Sequence, residues 1–173
     1  MMEALYDYIL DLLKIEGLTA KVEVEFLEKP PKITVGGISL RNIDKGVRVM
    51  LPFWMALLLK QHNLVRVIGE LDERKLKNSI FNERTMSRVL AEVGAFPYMH
   101  TYSMISKLDP ENRKRIKRLV ERLISLRLGK IVHFIPLSAS PSNISNISSE
   151  EKFLYENIKK MLETWKRKLE EFE

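Results

Sequence analysis

The chain has 173 residues, 45% of them hydrophobic and 30% charged, which suits one domain, or a medium domain with a small appendage, and excludes a disordered tail-like composition. It contains no cysteine, which removes disulfides and thiolate metal sites and agrees with an intracellular location. Twenty-nine Lys and Arg against 23 Asp and Glu leave a net charge of +6, which favours polyanions or acidic protein surfaces at long range.

The opening stretch MMEALYDYILDLLKIEG alternates polar and apolar residues at helical spacing. It carries Glu3 and Asp7 where a secretory leader would be basic, so a helix is expected and a signal peptide is not. From Lys21 to Met50 the period is two: Val22, Val24 and Phe26 alternate with Glu23 and Glu25, and Val47 and Val49 flank Arg48, each series reading as a half-buried strand. Gly36-Gly37 between KITV and ISL supplies the positive φ of a tight hairpin. These strands are too few to be stable alone and should lean on another body.

The apolar run from Met50 to Leu59 is about half the length that spans a bilayer, so a membrane anchor is excluded. After Leu51 the period becomes helical and is expected to stay so. Pro52 suits a first helical turn, and its helix should run to about His62. Asp72 caps a second helix through Leu76, Ile80 and, past a break near Asn82, Met86, Val89 and Leu90, with Gly94 as its stop. Phe96-Pro97 opens a short helix, and Asp109-Pro110-Glu111 is a strong start for the next. That helix, expected to end near Gly129, sets Ile116, Leu119, Val120, Leu123 and Ile124 on one stripe opposite Arg113, Lys114, Lys117, Arg118 and Arg122. The stretch from Pro136 to Ser149 reads as a flexible connector. Ser148 and Glu151 form a capping box for a last helix whose seam is Leu154, Ile158, Met161, Leu162, Trp165, Leu169 and Phe172. The expected fold is α+β, mainly α: residues 1–51 form a helix plus small β-module, and residues 52–173 a helical-bundle domain with a long C-terminal helix.

Chemistry is sparse. His62, His100 and His133 lie on separate elements without metal-ligand spacing, and no phosphate-cradling glycine motif or nucleophile elbow is present. The acidic pairs Asp72-Glu73 and Glu150-Glu151 sit at helix starts, where the macrodipole explains them. No catalytic, cofactor or metal residue is assigned, and an enzyme is the weakest class. Two features remain. The basic cluster Asn112 to Arg122 reads either as the solvated face of a helix or as a surface for DNA or an acidic partner. The C-terminal seam needs a cover, and Trp165 and Leu169 so near a terminus favour a partner over the chain's own core.

The motif GVRVMLPFWMALLLKQHNLVRVI, through Gly46, Val47, Val49, Pro52, Trp54, Leu58, Lys60, Gln61 and Arg66, resembles the GINS family of replication factors. FPYMHTYSMISKL from Phe96 to Leu108, followed by a helix ending LVERLISLRLGKI, looks like the Pro-Tyr helix and its successor in that family. The likeness runs from about Lys21 to Lys130. With its β-module first, the chain resembles the archaeal subunit related to the eukaryotic Psf-two and Psf-three proteins. The resemblance implies a non-catalytic subunit, without cofactors. It would assemble with a second GINS subunit, two copies of each, and with the MCM helicase and a RecJ-like nuclease, in a cytoplasmic, nucleoid-associated unwinding machine. Periodicity and aromatic enrichment nominate Leu154, Ile158, Leu162, Trp165 and Leu169, then Tyr98 and Tyr102, for subunit contact. Pro52 and Trp54 are expected to fix the domain junction. The rival reading is a small basic DNA-binding protein acting through residues 112–122.

Overall fold

The computed structural model describes residues 2–32, 34–86, 89–106, 108–135 and 140–171. Among these are six α-helices and five strands, an α+β and mainly α fold that divides into two compact units, Met1–Glu70 and Leu71–Glu173.

In the first unit, helix α1 (Met2–Thr19) leads into β1 (Lys21–Phe26). Strand β1 is the centre of an antiparallel sheet, with β4 (Arg48–Pro52) on one side and β5 (Val65–Val67) on the other. Val22 faces Leu51, while Val24 lies between Val49 and Val67. The two-residue period therefore gathers these side chains on one face. Helix α2 (Phe53–Gln61) covers that face with Met55, Ala56 and Leu59, completing an apolar core with Phe26, Leu40 and Val65. On the other face Glu25 stands between Arg48 and Arg66, 2.9 Å from the Arg66 guanidinium. The hydrogen bond from Arg66 holds its carboxyl below the usual range.

Between β1 and β4 lie two very short strands, β2 (Thr34–Val35) and β3 (Ile38–Ser39), paired as the expected hairpin with Gly36 and Gly37 at φ 57° and 77°. Gly46, at φ 83°, forms a bulge: its N–H donates to the Phe26 carbonyl, while Phe26 N–H donates to Val47. Two residues thus oppose one. The extra residue breaks the alternation, and Val47, expected inside, is exposed.

Three expectations for this half are corrected. The division falls after Glu70, not after residue 51, because α2 buries its apolar face on the sheet that precedes it. Pro52 ends β4 and stands as N-cap of α2, and Trp54 packs on the first unit's core beside Gly36. Both residues therefore act inside one unit instead of joining two. The helical period is also interrupted, since Val65–Val67 returns as a third strand. The run from Met50 to Leu59 is not enclosed throughout: Met50 points away from the core and is 55% exposed, and Leu58 is also exposed.

In the second unit, α3 (Glu73–Thr85) is capped by Asp72, whose Oδ1 accepts from Lys75 N–H at 2.8 Å. It stops at Thr85. The expected continuation through Met86 and Val89 is absent; both are exposed, while Leu90 enters the core as part of an irregular segment. Helix α4 (Pro97–Ile105) follows, and α5 (Pro110–Phe134), capped by Asp109, runs a full turn past Gly129. Leu76 and Ile80 of α3 pack with Ile105, Ile116, Val120 and Leu123. A second cluster joins Leu90, Ile131, Ile135 and Ile144 to Tyr155 of α6 (Ser149–Glu170). Residues 136–139 of the expected connector lie outside the described residues. The remainder is tied down, because Ile144 is core and Ser148 is buried. The Ser148–Glu151 capping box forms as expected.

Candidate functional site

Helix α6 presents its apolar seam in two ways. Ile158 and Leu162 turn toward the Tyr155 cluster and are partly covered. Met161, Trp165 and Leu169 stand in solvent, 67%, 57% and 46% exposed, and Leu154 is exposed with them. Phe172 lies outside the described residues. Together with Val132 and Ile135 of α5, the residues Ile158, Met161, Leu162 and Trp165 line an apolar groove of about 510 Å³. Single exposed apolar residues are ordinary, whereas a grouped set around a groove marks an association surface.

The base of α6 is held by a charged centre. Arg127 of α5 is fully buried, and all five guanidinium N–H donors are used. Nε and Nη2 form a bidentate pair with Glu151 at 2.6 and 2.7 Å. Nη1 donates to Glu83 of α3 and to the Ala91 carbonyl, and Nη2 also reaches the Asn146 carbonyl. Asn146 adopts φ 62° and donates its side-chain amide to the Leu90 carbonyl. Lys130 pairs with Glu83, so two cations meet two carboxylates. Burial pushes the Glu151 carboxyl up, but the Arg127 hydrogen bonds and charge outweigh it and leave it lowered. The centre ties α3, α5 and α6 together.

Tyr98 belongs to this centre. Its hydroxyl donates to Glu151, and burial, with the Glu151 charge beside it, pushes its ionisation upward. It faces its own unit's interior, unlike Tyr102, which is partly exposed. Glu150 accepts from the N–H groups of Tyr98 and Met99 at 3.1 and 2.8 Å, supplying from another helix the cap that Phe96 cannot give α4. Burial pushes Glu150 up to about 7. The helix-start explanation of Glu150-Glu151 is therefore incomplete: both carboxylates are tertiary ties. The missed signal was Arg127, an arginine in register with the apolar residues Val120, Leu123 and Ile131.

The basic cluster is only partly free. Arg113 donates to the Ser106 and Leu108 carbonyls, closing the end of α4, and Arg115 pairs with Glu73 at 3.1 Å. Lys114, Lys117, Arg118 and Arg122 are exposed, with no ion-pair partner among the described residues. Among the described residues, no group of three or more His, Asp or Glu is placed to hold a metal, and no helix is long and apolar enough to cross a membrane.

Residues 72–170, more than half the chain and nearly the whole second unit, match the Sld5 family model, described as the GINS complex protein helical bundle domain. The chain belongs to the GINS family. No curated protein matches the chain. Family membership makes this GINS chain a replication protein that assembles with other GINS subunits. The match ends at residue 170, so it takes in the whole apolar face of α6 and the charged centre that anchors it.

Proposed function

We propose that this GINS chain is a non-catalytic subunit of the β-domain-first branch, related to the Psf-two and Psf-three proteins and of archaeal type. It pairs with a second GINS subunit, two copies of each. The assembly joins the MCM helicase and a RecJ-like nuclease at the unwinding fork on nucleoid DNA. The order of units supports the branch: the sheet-bearing unit precedes the matched helical bundle. The apolar face of α6 carries the assembly reading, since Met161, Trp165 and Leu169 stand open beside a groove, and exposed aromatic anchors are the usual energetic centre of subunit contacts. Leu154, Ile158, Leu162, Trp165 and Leu169 are the contact residues, with Tyr102 secondary. The rival DNA-binding reading loses weight because Arg113 is spent on closing α4.

Co-expression with candidate second subunits, followed by mass measurement, tests this. The expected result is a four-chain species for the natural chain and a smaller one for Trp165→Asp. A chain that stays alone with every replication partner overturns the proposal.

A further inference from the structure

Lys77 on α3 and Arg115 on α5 share one carboxylate: Glu73 accepts from Lys77 at 2.7 Å and stands 3.1 Å from Arg115. That shared partner fixes the two cations on the same face of the second unit. Further along both helices Arg127 meets Glu83, so α3 and α5 run side by side in the same direction. Spacings of three and four carry each row forward. On α3 the row is Lys77, Phe81 and Arg84; on α5 it is Arg115, Arg118 and Arg122, and all six residues are exposed. Arg84, Arg118 and Arg122 have no ion-pair partner among the described residues. The acids of these rows, Glu73 and Glu111, lie at the end where the helices begin. Glu121 is on the other flank of α5, beside Tyr102 of α4.

Phe81 is the exception in this basic field. It is 64% exposed, with Lys77 and Arg84 a turn to either side of it. An aromatic ring between rows of cations suits a nucleic acid strand, whose phosphates meet the cations while a base stacks on the ring. In a duplex the bases cover one another and leave the ring no partner. An acidic polypeptide would satisfy the cations but bring nothing planar to Phe81. We infer that the α3–α5 face of this chain binds single-stranded nucleic acid, with phosphates along Arg84, Arg118 and Arg122 and one base on Phe81. This surface is not the run 112–122 taken alone, since Arg113 and Lys117 lie about 160° round α5 from Arg115. It gives the GINS chain a ligand beyond its partner subunits and makes no use of α6.

Fluorescence anisotropy of a labelled oligothymidine of about 20 nucleotides, titrated with the full chain, tests it. Binding is expected at low ionic strength and should weaken with salt along a log–log slope of about −2, because each phosphate neutralised on a single strand contributes about −0.7. Arg118→Glu with Arg122→Glu should weaken binding by roughly tenfold or more. Arg118→Gln with Arg122→Gln replaces that pair should the reversal impair folding by circular dichroism. Phe81→Ala should weaken binding about fivefold or more and leave the salt slope unchanged. Lys159→Glu with Lys166→Glu, on α6, changes the net charge equally and should weaken binding far less. A natural chain that leaves the oligonucleotide free overturns the inference. Equal weakening by the α6 pair does so too, because net charge and not this face would then hold the strand. A Phe81→Ala chain that binds as tightly as the natural one also overturns it, and polyglutamate that then competes at equal charge would assign the face to an acidic polypeptide. Assembly with the second GINS subunit is measured in parallel: its absence would strike the proposed function and leave this face untouched.

Discussion

The two units use the same ion-pair chemistry in opposite settings. In the first, Glu25 meets Arg48 and Arg66 on the outer face of a sheet whose core is wholly apolar. In the second, Glu83 and Glu151 meet Arg127 at the centre, with both side chains of each pair almost without exposure. Water screens the first set and is excluded from the second. An exposed set can be lost with little consequence. A buried set holds only while every member is present, since a missing partner leaves a charge in a medium that cannot solvate it. The difference shows where this chain has accepted a cost for a fixed geometry: at the base of α6.

Removing Arg127 should give the largest effect. Arg127→Ala is expected to destabilise the second unit by roughly 3–5 kcal/mol. The chain has two tryptophans, Trp54 in the first unit and Trp165 in the second, so urea curves read by each indole in single-tryptophan backgrounds would separate the units. An equal loss at Trp54 would break the contrast between the two units.

Next comes Trp54→Ala. The indole is partly buried against the first core, so a loss of about 2 kcal/mol is expected, read from the melting of the first unit. Truncation after Lys160 removes Met161, Trp165 and Leu169 while leaving Tyr155 and the charged centre; it should abolish the four-chain species while the chain stays soluble. A truncated chain that still co-purifies with its partner would make the seam internal core.

Glu150 gives a smaller effect with a definite sign. Its folded value lies above the ordinary carboxylate value of 4.5, at about 7, so between these two the folded state holds a proton that the unfolded state has released. The associated stability is present below about 4.5 and is lost as pH rises through about 7. Glu151 acts in the opposite sense: its lowered carboxyl contributes above the unfolded value, and that contribution falls away in acid. Glu150→Gln should therefore flatten the stability profile between pH 5 and 7, read by thermal melting; an unchanged slope would place the proton elsewhere. Glu25→Gln should give the smallest effect, a melting midpoint hardly moved, because its partners are exposed arginines.

Periodicity and helix-start chemistry made much of the fold legible. Asp72, Asp109 and the Ser148–Glu151 box begin α3, α5 and α6 where their side chains accept the first free N–H groups. Boundaries that depend on tertiary burial were not legible. Helix α2 looks by period like the start of the helical domain, yet its apolar face matches the sheet behind it. Strand β5 is three residues long, too short for an alternation to show. Val47 follows the inward pattern, but the bulge at Gly46 shifts it out. The α6 seam could be read as apolar; that Ile158 and Leu162 partly close while Trp165 stays open depends on where α5 ends. Arg127 shares the apolar register of Val120, Leu123 and Ile131, which marks it as a buried cation, but its partners Glu83 and Glu151 lie far apart in sequence and meet only in the folded chain.

Helix α6 behaves as a lever whose fulcrum is its first turn. Glu151 lies fourteen residues from Trp165, about 21 Å along the axis. A tilt of 5° at the fulcrum would sweep the indole by about 2 Å, more than close packing against any surface tolerates. The clamp of Arg127, Tyr98 and Ser148 on Glu151 therefore sets the aim of a residue it never touches. Conservative changes at the fulcrum, such as Tyr98→Phe, should shift the direction in which the apolar face points while leaving that face intact.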